Sequence, residues 1–248
     1  MLIDSNVVHI CALSDTHGQD FTIPMCDIFC HCGDWSPLYI QGDFAQMYLW
    51  VDSFVETLYN LPCRYVVIIA GNHDLIMESE TAANLFDEIQ EKLGLIKHYI
   101  DDNGERRTEK KIHYLNCHSV KLMGVKFWGS PVTKQINRYR KYWAFETNTP
   151  SYDIPTDTDV ILTHQPPELN GLGNVRWGIC EPSEPLGSMH LTEAVSKTRA
   201  QYHFCGHIHT GNHSECRYPN GITVGVNVSI LDEDYEKAYD AFVCQFSR

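Results

Sequence analysis

The stretch VVIIAGNHD, residues 66–74, decides how this chain is expected to fold. Its first five residues are apolar, which is typical of a strand that is buried on both faces of a parallel sheet. The next four, Gly71 to Asp74, are polar or turn-forming residues that add almost nothing to a core. A deeply buried strand therefore ends abruptly in side chains that bind protons or metal ions.

The segments before this stretch indicate a βαβ unit. The apolar runs Val7–Leu13 and Cys26–Cys32 predict two further buried strands. Between Phe44 and Leu61 the apolar residues recur at helical spacing, which predicts an amphipathic helix leading into a strand at Arg64–Ala70. A strand, a helix and a strand in this order form a βαβ unit with a parallel crossover.

The remainder of the chain predicts a second β-rich half. We expect further helices from Ser79, as an N-cap, to Leu93 and near His190–Arg199, with short antiparallel strands between residues 95 and 130. Additional strands are predicted at Asp159–Thr163, Tyr202–Cys205 and Ile222–Ile230. Two β-rich halves with flanking helices imply stacked sheets covered by helices, in a single domain spanning residues 1–248.

Composition limits the classes of function. The 248 residues are 43% hydrophobic, enough to bury a sizeable core, and the net charge of −13 disfavours a broad nucleic-acid surface. We expect neither a signal peptide nor a membrane span, because no apolar run approaches about 18 residues. The ten cysteines form no paired CxxC pattern, which predicts reduced thiols in a cytoplasmic protein.

Each buried strand is followed by side chains that bind metal ions. These side chains are Asp15, His17, Asp34, Asn72, His73, His164, His207 and His209. Ligand sites in open α/β sheets lie beyond the carboxyl ends of the strands, so five strand ends are expected to converge on one crevice. Each motif alone arises by chance, and GNHD alone is also a common kind of turn. The ordered set is what predicts a site.

The types of side chain in this set indicate the metal. Carboxylates and imidazoles without a thiolate suit Mn, Fe or Zn. They outnumber the ligands of one tetrahedral ion, whereas two ions that share a bridging carboxylate would use them all. The glycines before Asp34, Asn72 and His207 allow sharp turns and close approach of the backbone to an ion or a phosphate.

In this order, DTH, GD, GNHD, TH and GHIH resemble the motifs of the calcineurin-like metallophosphoesterase superfamily, and they extend from Asp15 to His209. The segments KFWGSP, WAF, TDVILTHQPP and FCGHIHTG are similar to its metallophosphoesterase-domain-containing (MPPED) branch. The resemblance implies an α/β fold: a four-layer αββα sandwich of two mixed β-sheets flanked by helices. It also implies a site for two metal ions.

The resemblance assigns a role to each motif residue. It implies one ion held by Asp15, His17 and His209, another held by Asn72, His164 and His207, and Asp34 as the bridging ligand. Mn or Fe are the expected ions, with Zn and Ni as alternatives. His73 is expected to be the catalytic residue that donates a proton to the leaving oxygen or a hydrogen bond to the phosphoryl group, with Asp15 or another carboxylate as its partner.

The metal-binding motifs do not indicate which class of phosphoester the protein hydrolyses. The segment GDWSPL, residues 33–38, lacks the arginine that binds phosphate in the protein Ser/Thr phosphatases of this fold, which disfavours that class. The branch resemblance implies hydrolysis of a small or nucleotide phosphodiester by a hydroxide that the two metal ions activate. Cyclic nucleotides belong to this class of substrate. The alternatives are a DNA or RNA nuclease of the same superfamily and a non-catalytic metal-binding scaffold for protein interactions.

Four residues are candidate substrate contacts: Asn72, His73, Trp35 and Arg176. Trp35 follows Asp34 directly and either stacks on a base or belongs to the core. Arg176, in the Gly- and Pro-rich segment 165–187, is a candidate phosphate clamp, with simple loop solvation as the alternative. The basic and aromatic segment Lys134–Phe145 is either a nucleotide-receiving surface or a solvated amphipathic helix.

Overall fold

The computed structural model describes residues 7–79, 82, 84–101, 103–135, 143–169, 172, 174–175, 184–211 and 213–247. Helices and strands are numbered below in chain order. The described helices are α1 (Phe44–Asn60), α2 (Leu85–Lys92) and α3 (Met189–Ser196). Short 3₁₀ turns at Leu38–Ile40, Leu75–Glu78 and His209–Gly211 lie in the loops after strands.

The first sheet has five strands, in the order β17-β1-β2-β3-β6. Their bounds are β1 Val7–Leu13, β2 Cys26–Cys32, β3 Cys63–Ile69, β6 Ile112–Tyr114 and β17 Phe242–Ser247. The pairs among β1, β2, β3 and β6 are parallel, and only β17 pairs antiparallel, on β1. The predicted βαβ unit is therefore present as β2, α1 and β3.

The second sheet has six strands, in the order β15-β16-β14-β11-β8-β7. Their bounds are β7 His118–Leu122, β8 Val125–Ser130, β11 Val160–Thr163, β14 Tyr202–Cys205, β15 Glu215–Arg217 and β16 Val224–Asn227. The four central strands are parallel, and the outer strands β7 and β15 are antiparallel to their neighbours. Both sheets are therefore mixed, as expected.

Three two-stranded ribbons decorate these sheets. They are β4 Lys97–Ile100 with β5 Arg106–Glu109, β9 Thr133–Lys134 with β10 Glu146–Thr147, and β12 Asn174–Val175 with β13 Glu184–Pro185. The antiparallel strands expected between residues 95 and 130 are found in β4–β5 and β7–β8, whereas β6 joins the first sheet as a parallel strand.

Alternating side chains of β1 show how the layers form. Val8, Ile10 and Ala12 pack with residues of the second sheet such as Phe127 and Phe204, while Cys11 and Leu13 face the α1 side. The strand is thus buried on both faces, because successive side chains of a strand point in opposite directions. A third cluster lies between the second sheet and α3. The resulting layers are helix, sheet, sheet and helix, which confirms the predicted four-layer fold.

Helix boundaries follow local capping. The Asp43 carboxylate accepts the backbone N–H of Gln46 at the start of α1, and the Ser188 hydroxyl accepts that of Leu191 at the start of α3. The sequence predicted that Ser79 caps the start of α2. Ser79 instead caps the end of the 3₁₀ turn Leu75–Glu78, and α2 begins at Leu85. In the described part of the chain, no helix combines the length and the apolar character that crossing a membrane requires. The nine cysteines in that part are free thiols.

Candidate metal centre and catalytic site

The loops after β1, β2, β3, β11 and β14 carry the polar motifs. Four of the motif residues have left-handed backbone conformations: Asp15 (φ 57°), His17 (φ 45°), Asp34 (φ 54°) and His207 (φ 69°). Non-glycine residues adopt this region at an energetic cost, and such strain concentrates at functional sites. The chain therefore turns sharply after β1, β2 and β14, and these turns aim the side chains into a common crevice.

Glycines at two of these turns allow the loops to meet. A Cβ atom on Gly71 would lie 2.2 Å from Asp34 Oδ1, and one on Gly206 would lie 2.3 Å from Asp15 Oδ2. Both distances are shorter than any contact that a real side chain makes. The glycines before Asn72 and His207 thus bring the backbone against the two carboxylates, whereas the expected approach to an ion or a phosphate stays a prediction.

The first group of potential ligands consists of Asp15, His17 and His209, whose nearest ligand atoms lie within 4.8 Å of one another. The Nε2 atom of His209 is 3.6 Å from Asp15 Oδ1. Its Nδ1–H donates to the carbonyl of Asp232 at 2.8 Å, which leaves Nε2 to face the crevice. The Ser229 hydroxyl donates to Asp15 Oδ2 at 2.6 Å and so fixes the carboxylate.

The second group consists of Asp34, His164 and His207, again with ligand atoms within 4.8 Å. Asn72 belongs beside it, because its Oδ1 lies 3.0 Å from His164 Nε2. His164 is buried, and its Nδ1 is 2.8 Å from the carbonyl of Cys32. When Nδ1–H donates to that carbonyl, the orientation of the imidazole is set and Nε2 points at the other ligands.

Asp34 belongs to the second group and also faces the first. Its Oδ2 is 3.2 Å from His164 Nε2 in the second group and 3.9 Å from His17 Nε2 in the first. Its Oδ1 accepts the backbone N–H of His73 at 2.8 Å. A single carboxylate thus faces both groups, which is the arrangement a bridging ligand needs.

The carboxyl groups and histidines of the site shift one another's pKa values. Burial alone would raise the pKa of Asp34, but the charge of His164 outweighs it and holds that pKa well below its ordinary value. In Asp15, the hydrogen bond from His209 and the charge of His164 likewise overcome burial and lower the pKa. Burial would lower the pKa of His164, but the charge of Asp34 raises it to about 9. The carboxylates are therefore ready to bind cations at neutral pH.

Of the other histidines of the site, His17 and His207 are neutral at pH 7, whereas in His209 the hydrogen bond with Asp15 outweighs burial and raises the pKa. Burial lowers the pKa of His17 to about 4 and that of His207 to about 3. The Nδ1 atom of His17 and the Nε2 atom of His207 are buried and have no hydrogen-bond partner among the described residues. Such orphaned nitrogens are costly unless something binds them. Metal ions held by these histidines and carboxylates would satisfy them, so the residues present fit a metal centre.

Asp74, the last residue of the stretch VVIIAGNHD, connects the loops that follow β2 and β3. Its carboxylate accepts the backbone N–H groups of Asp34, Trp35, Ser36 and Gly71 at distances of 2.7 to 3.1 Å. Burial and the charge of Asp34 raise the pKa of Asp74 to about 7. Asp74 does not point into the crevice as a ligand, and its role is to position the loops of Asp34 and Asn72.

The environment of His73 corrects one expectation. Asp15 is not the partner of the ring, because Nδ1 is 2.6 Å from Nε2 of Gln41 and the nearby carboxylate is Asp34, the other alternative expected from sequence. On the other side of the ring, Nε2 lies 4.0 Å from Asp34 Oδ2. The ring of Trp143 is 5.4 Å away between centroids. His73 thus stands at the edge of the metal centre with Nε2 turned towards it.

Trp35 lies in the core, which corrects its expected contact with substrate. Its side chain is fully buried, stacks on Trp50 and Phe54, and donates its indole N–H to the carbonyl of Ile69. The turn after Asp34 directs it towards α1 and not into the crevice. Arg176, the other substrate contact expected from sequence, lies outside the described residues, as do residues 136–142 of the Lys134–Phe145 segment.

Several residues that lie near the centre were not predicted from the sequence. They are Gln41, Asp74, Ser229, Asp232 and Tyr235. Gln41 and Tyr235 belong to no strand-end motif, so no periodicity marks them. Asp74 does stand in the GNHD motif, and its position one residue after His73 was the available signal.

Family comparison agrees with this geometry. The sequence model of the calcineurin-like phosphoesterases matches residues 8–211, so the chain belongs to the calcineurin-like phosphoesterase family. This is a family of metal-dependent phosphoesterases, and membership implies binding of two divalent metal ions. The match covers the motifs that carry the candidate metal ligands, from Asp15 to His209.

Similar proteins place the chain within this family. It is 27% identical over 237 residues to metallophosphoesterase domain-containing protein 1 of Homo sapiens and of Mus musculus, covering 90% of this chain and 66% of either relative. A UPF0046 protein of Caenorhabditis elegans is 25% identical over 97% of this chain and 82% of its own length. These relatives support the MPPED-like branch.

One solved structure shows the same fold. It superposes with a TM-score of 0.64, covers 97% of this chain and 100% of its own, and is 13% identical in sequence.

Proposed function

We propose that this protein is a metal-dependent phosphodiesterase that hydrolyses a small or nucleotide phosphodiester. The observation that carries the proposal is the position of Asp34 between the Asp15 group and the His164 group. In the overall reaction, water adds to phosphorus, the bond from phosphorus to one ester oxygen breaks, and a proton passes to that oxygen. The products are a phosphomonoester and an alcohol.

The metal ligands follow from the two groups. Asp15, His17 and His209 would hold one ion, the second would be held by Asn72, His164 and His207, and Asp34 would bridge them. Mn and Fe suit this set of carboxylate, amide and imidazole donors, as do Zn and Ni. When bound, two such ions supply an activated water and neutralise the charge that develops on the phosphoryl group.

His73 would supply the proton. Its backbone N–H is bonded to Asp34 and its Nδ1 to Gln41, so the ring is held from two sides. The remaining nitrogen, Nε2, faces the metal centre and is the atom that would donate to the leaving oxygen. Asn72 contributes a neutral amide ligand, which leaves more positive charge on the ions for the phosphoryl oxygens than a third carboxylate would.

The net charge of −13 supports small substrates over nucleic acid, because a nuclease needs a basic face for the phosphate backbone. The experiment compares bis(p-nitrophenyl) phosphate with p-nitrophenyl phosphate after chelation and add-back of single metals. We expect no activity after chelation, recovery with Mn²⁺ or Fe²⁺, and a higher kcat/KM for the diester.

Three other results would change the assignment. A preference for the monoester would overturn the diesterase while leaving the metal centre in place. Cleavage of single-stranded DNA or RNA in preference to both chromogenic esters would make the protein a nuclease. Full metal loading without turnover of any phosphoester would make it a binding scaffold.

A further inference from the structure

A surface pocket lies at the opposite end of β3 from the metal centre. It has a volume of about 170 Å³ and is lined by residues from the end of α1, the start of β3, the β4–β5 ribbon and the turn before β6. Arg64 lines it near the start of β3, whereas the candidate metal ligands follow the end of that strand. At about 3.3 Å per residue, the length of β3 separates the two sites by roughly 20 Å.

The lining of this pocket, called the basic pocket below, is positively charged although the chain as a whole is acidic. Four of the 19 lysines and arginines line it, in a chain with a net charge of −13. These cations are Arg64, Lys97, Lys110 and Lys111, and the carboxylate that lines the pocket with them is Glu109. A local excess of positive charge attracts anions from solution.

Two of the four cations are held in place by the protein. The Nζ atom of Lys111 donates to the carbonyls of Tyr59 at 2.7 Å and Leu61 at 2.8 Å, at the end of α1, where carbonyls lack partners within the helix. The Nζ atom of Lys110 lies 2.6 Å from both carboxylate oxygens of Asp87. The charge of Lys110 is therefore matched by a carboxylate, whereas that of Lys111 is not.

Arg64 and Lys97 form no ion pair with any described residue. The guanidinium of Arg64 lies over the ring of Tyr65, 5.3 Å from its centroid, and this contact leaves its charge in place. Lys97 stands opposite Glu109 in the β4–β5 ribbon, and both Arg64 and Lys97 are exposed to solvent. The three unmatched cations, which include Lys111, and one carboxylate give the lining a net charge of +2.

Another surface pocket, at the second sheet, shows the contrasting arrangement. It is larger, at about 320 Å³, and two of its three cations pair with carboxylates of the same pocket. Lys126 pairs with Asp157, and Arg199 pairs with Asp159 at 3.1 Å. The charges in that pocket satisfy one another, so an anion gains much less there than in the basic pocket.

We propose that the basic pocket binds the dianion of a phosphate group, either inorganic phosphate or the phosphate of a small monoester. A phosphate monoester carries a charge of about −1.5 to −2 near neutral pH, which complements the charge of the lining. The planar guanidinium of Arg64 is suited to bind two oxygens of one phosphate, while Lys97 and Lys111 act as point charges. This site is separate from the metal centre and does not depend on the proposed activity.

The test measures the binding of inorganic phosphate and of glycerol 3-phosphate to the metal-free protein by calorimetry at constant ionic strength. Removal of the metal ions prevents both compounds from binding to them and prevents hydrolysis of the monoester. We expect saturable binding at one site. Binding of phosphate alone would assign the pocket to the inorganic ion, and binding of both would extend it to small monoesters.

Substitutions in the lining should change this affinity in opposite directions. Arg64→Gln and Lys97→Gln should each weaken phosphate binding about fivefold, because each removes a charged donor that solvent partly screens. Glu109→Gln should tighten it about twofold, because the substitution removes a negative charge that repels the anion. A purely structural role of these exposed residues would not produce changes of opposite sign.

Arg199→Gln is the matched control. It removes the same charge from the other pocket, where Arg199 is paired with Asp159. We expect this variant to bind phosphate with wild-type affinity. The melting temperature of each variant without phosphate shows that a loss of binding is not a loss of the fold.

Three outcomes would overturn the proposal. The first is no saturable binding of either compound to the metal-free protein. The second is an affinity that both Arg64→Gln and Lys97→Gln leave unchanged, which would place the anion elsewhere. The third is equal binding of acetate, which would show that the pocket attracts anions without preference for phosphate. None of these results bears on the metal centre, whose activity is measured separately.

Discussion

The side-chain amide of Gln41 lies 2.6 Å from His73 Nδ1 and holds the ring that faces the metal centre. This contact holds one side of the ring, and the other ring nitrogen, Nε2, lies 4.0 Å from Asp34 Oδ2. Gln41 thus sets the orientation of the His73 ring.

Removal of this contact should slow turnover without loss of metal. Gln41→Leu leaves the His73 ring free to rotate, so we expect kcat towards bis(p-nitrophenyl) phosphate to fall about tenfold, a part of the usual contribution of a general acid. Steady-state kinetics with metal analysis checks this. Gln46→Leu is the control, because the side-chain amide of Gln46 bonds to the capping residue Asp43 at the exposed start of α1, and the variant should retain activity. An unchanged kcat in Gln41→Leu would refute the positioning role.

His73 itself should matter more than its partner. We expect His73→Ala to lower kcat by about a hundredfold or more while bound metal per chain stays at the wild-type level, because the ring supplies a proton and not a metal ligand. Parallel metal analysis and kinetics on the two variants provide the comparison. If His73→Ala retains full kcat, its assignment as proton donor is wrong.

Asp74 should be essential for stability. Asp74→Ala leaves four buried backbone N–H groups without their acceptor, and we expect the free energy of unfolding to fall by about 3 kcal/mol or more. Urea denaturation of the metal-free proteins measures the change. Asp27 also accepts a backbone N–H, from His9, but near the surface, so Asp27→Ala should cost less than about 1 kcal/mol. Equal losses of unfolding free energy in the two variants would show that the buried hydrogen bonds of Asp74 stabilise the fold no more than the surface contact of Asp27 does.

Gly71 should not tolerate a side chain. The Cβ of Gly71→Ala would meet Asp34 Oδ1 at 2.2 Å and His164 Cε1 at 2.7 Å, so one of these ligands must move. We expect the variant to lose most of its bound metal, as measured by metal analysis after gel filtration. Gly104→Ala, at a turn with open space around it, should cost only the left-handed backbone strain of about 1 kcal/mol and keep its metal. Full metal content in Gly71→Ala would contradict the close packing described here.

Metal binding should tighten as pH rises. The pKa of His164 is raised to about 9 by Asp34, so near neutral pH an incoming ion must displace a proton from His164, whereas His17 and His207 are already neutral. We expect the apparent Mn²⁺ affinity to increase between pH 6 and pH 8, with proton release visible by calorimetry in buffers of different ionisation enthalpy. In the folded metal-free protein the same pair stabilises below pH 6.5, and this contribution is lost as pH rises through about 9. A pH-independent affinity without proton release would exclude this coupling.

Sequence alone predicted the fold layers and the gathering of the motif side chains for a physical reason. Parallel strands such as β1 and β3 are mostly apolar, and the residues after them form short polar motifs, so both features are visible in the local sequence. The roles of Asp15, His164 and their partners as ligands stay predictions, as does the single-domain organisation, although the geometry brings the side chains together.

The errors arose where tertiary packing decides. The partner of His73 is Gln41, which is separated from it by 32 positions and reaches it through a 3₁₀ turn that no periodicity marks. Trp35 follows a site residue, but the adjacent aromatic side chains of α1 draw it into the core. Ser79 has the chemistry of an N-cap, yet a preceding 3₁₀ turn ends there and α2 begins later.

The most direct test of the account is an anomalous diffraction experiment on crystals grown with Mn²⁺. We expect two anomalous peaks, one beside Asp15, His17 and His209 and the other beside Asn72, His164 and His207, with Asp34 in contact with both. The matched Asp34→Asn crystal should lose at least one peak. A single peak, or two peaks of which only one contacts Asp34 in the wild-type protein, would contradict the bridged two-metal centre.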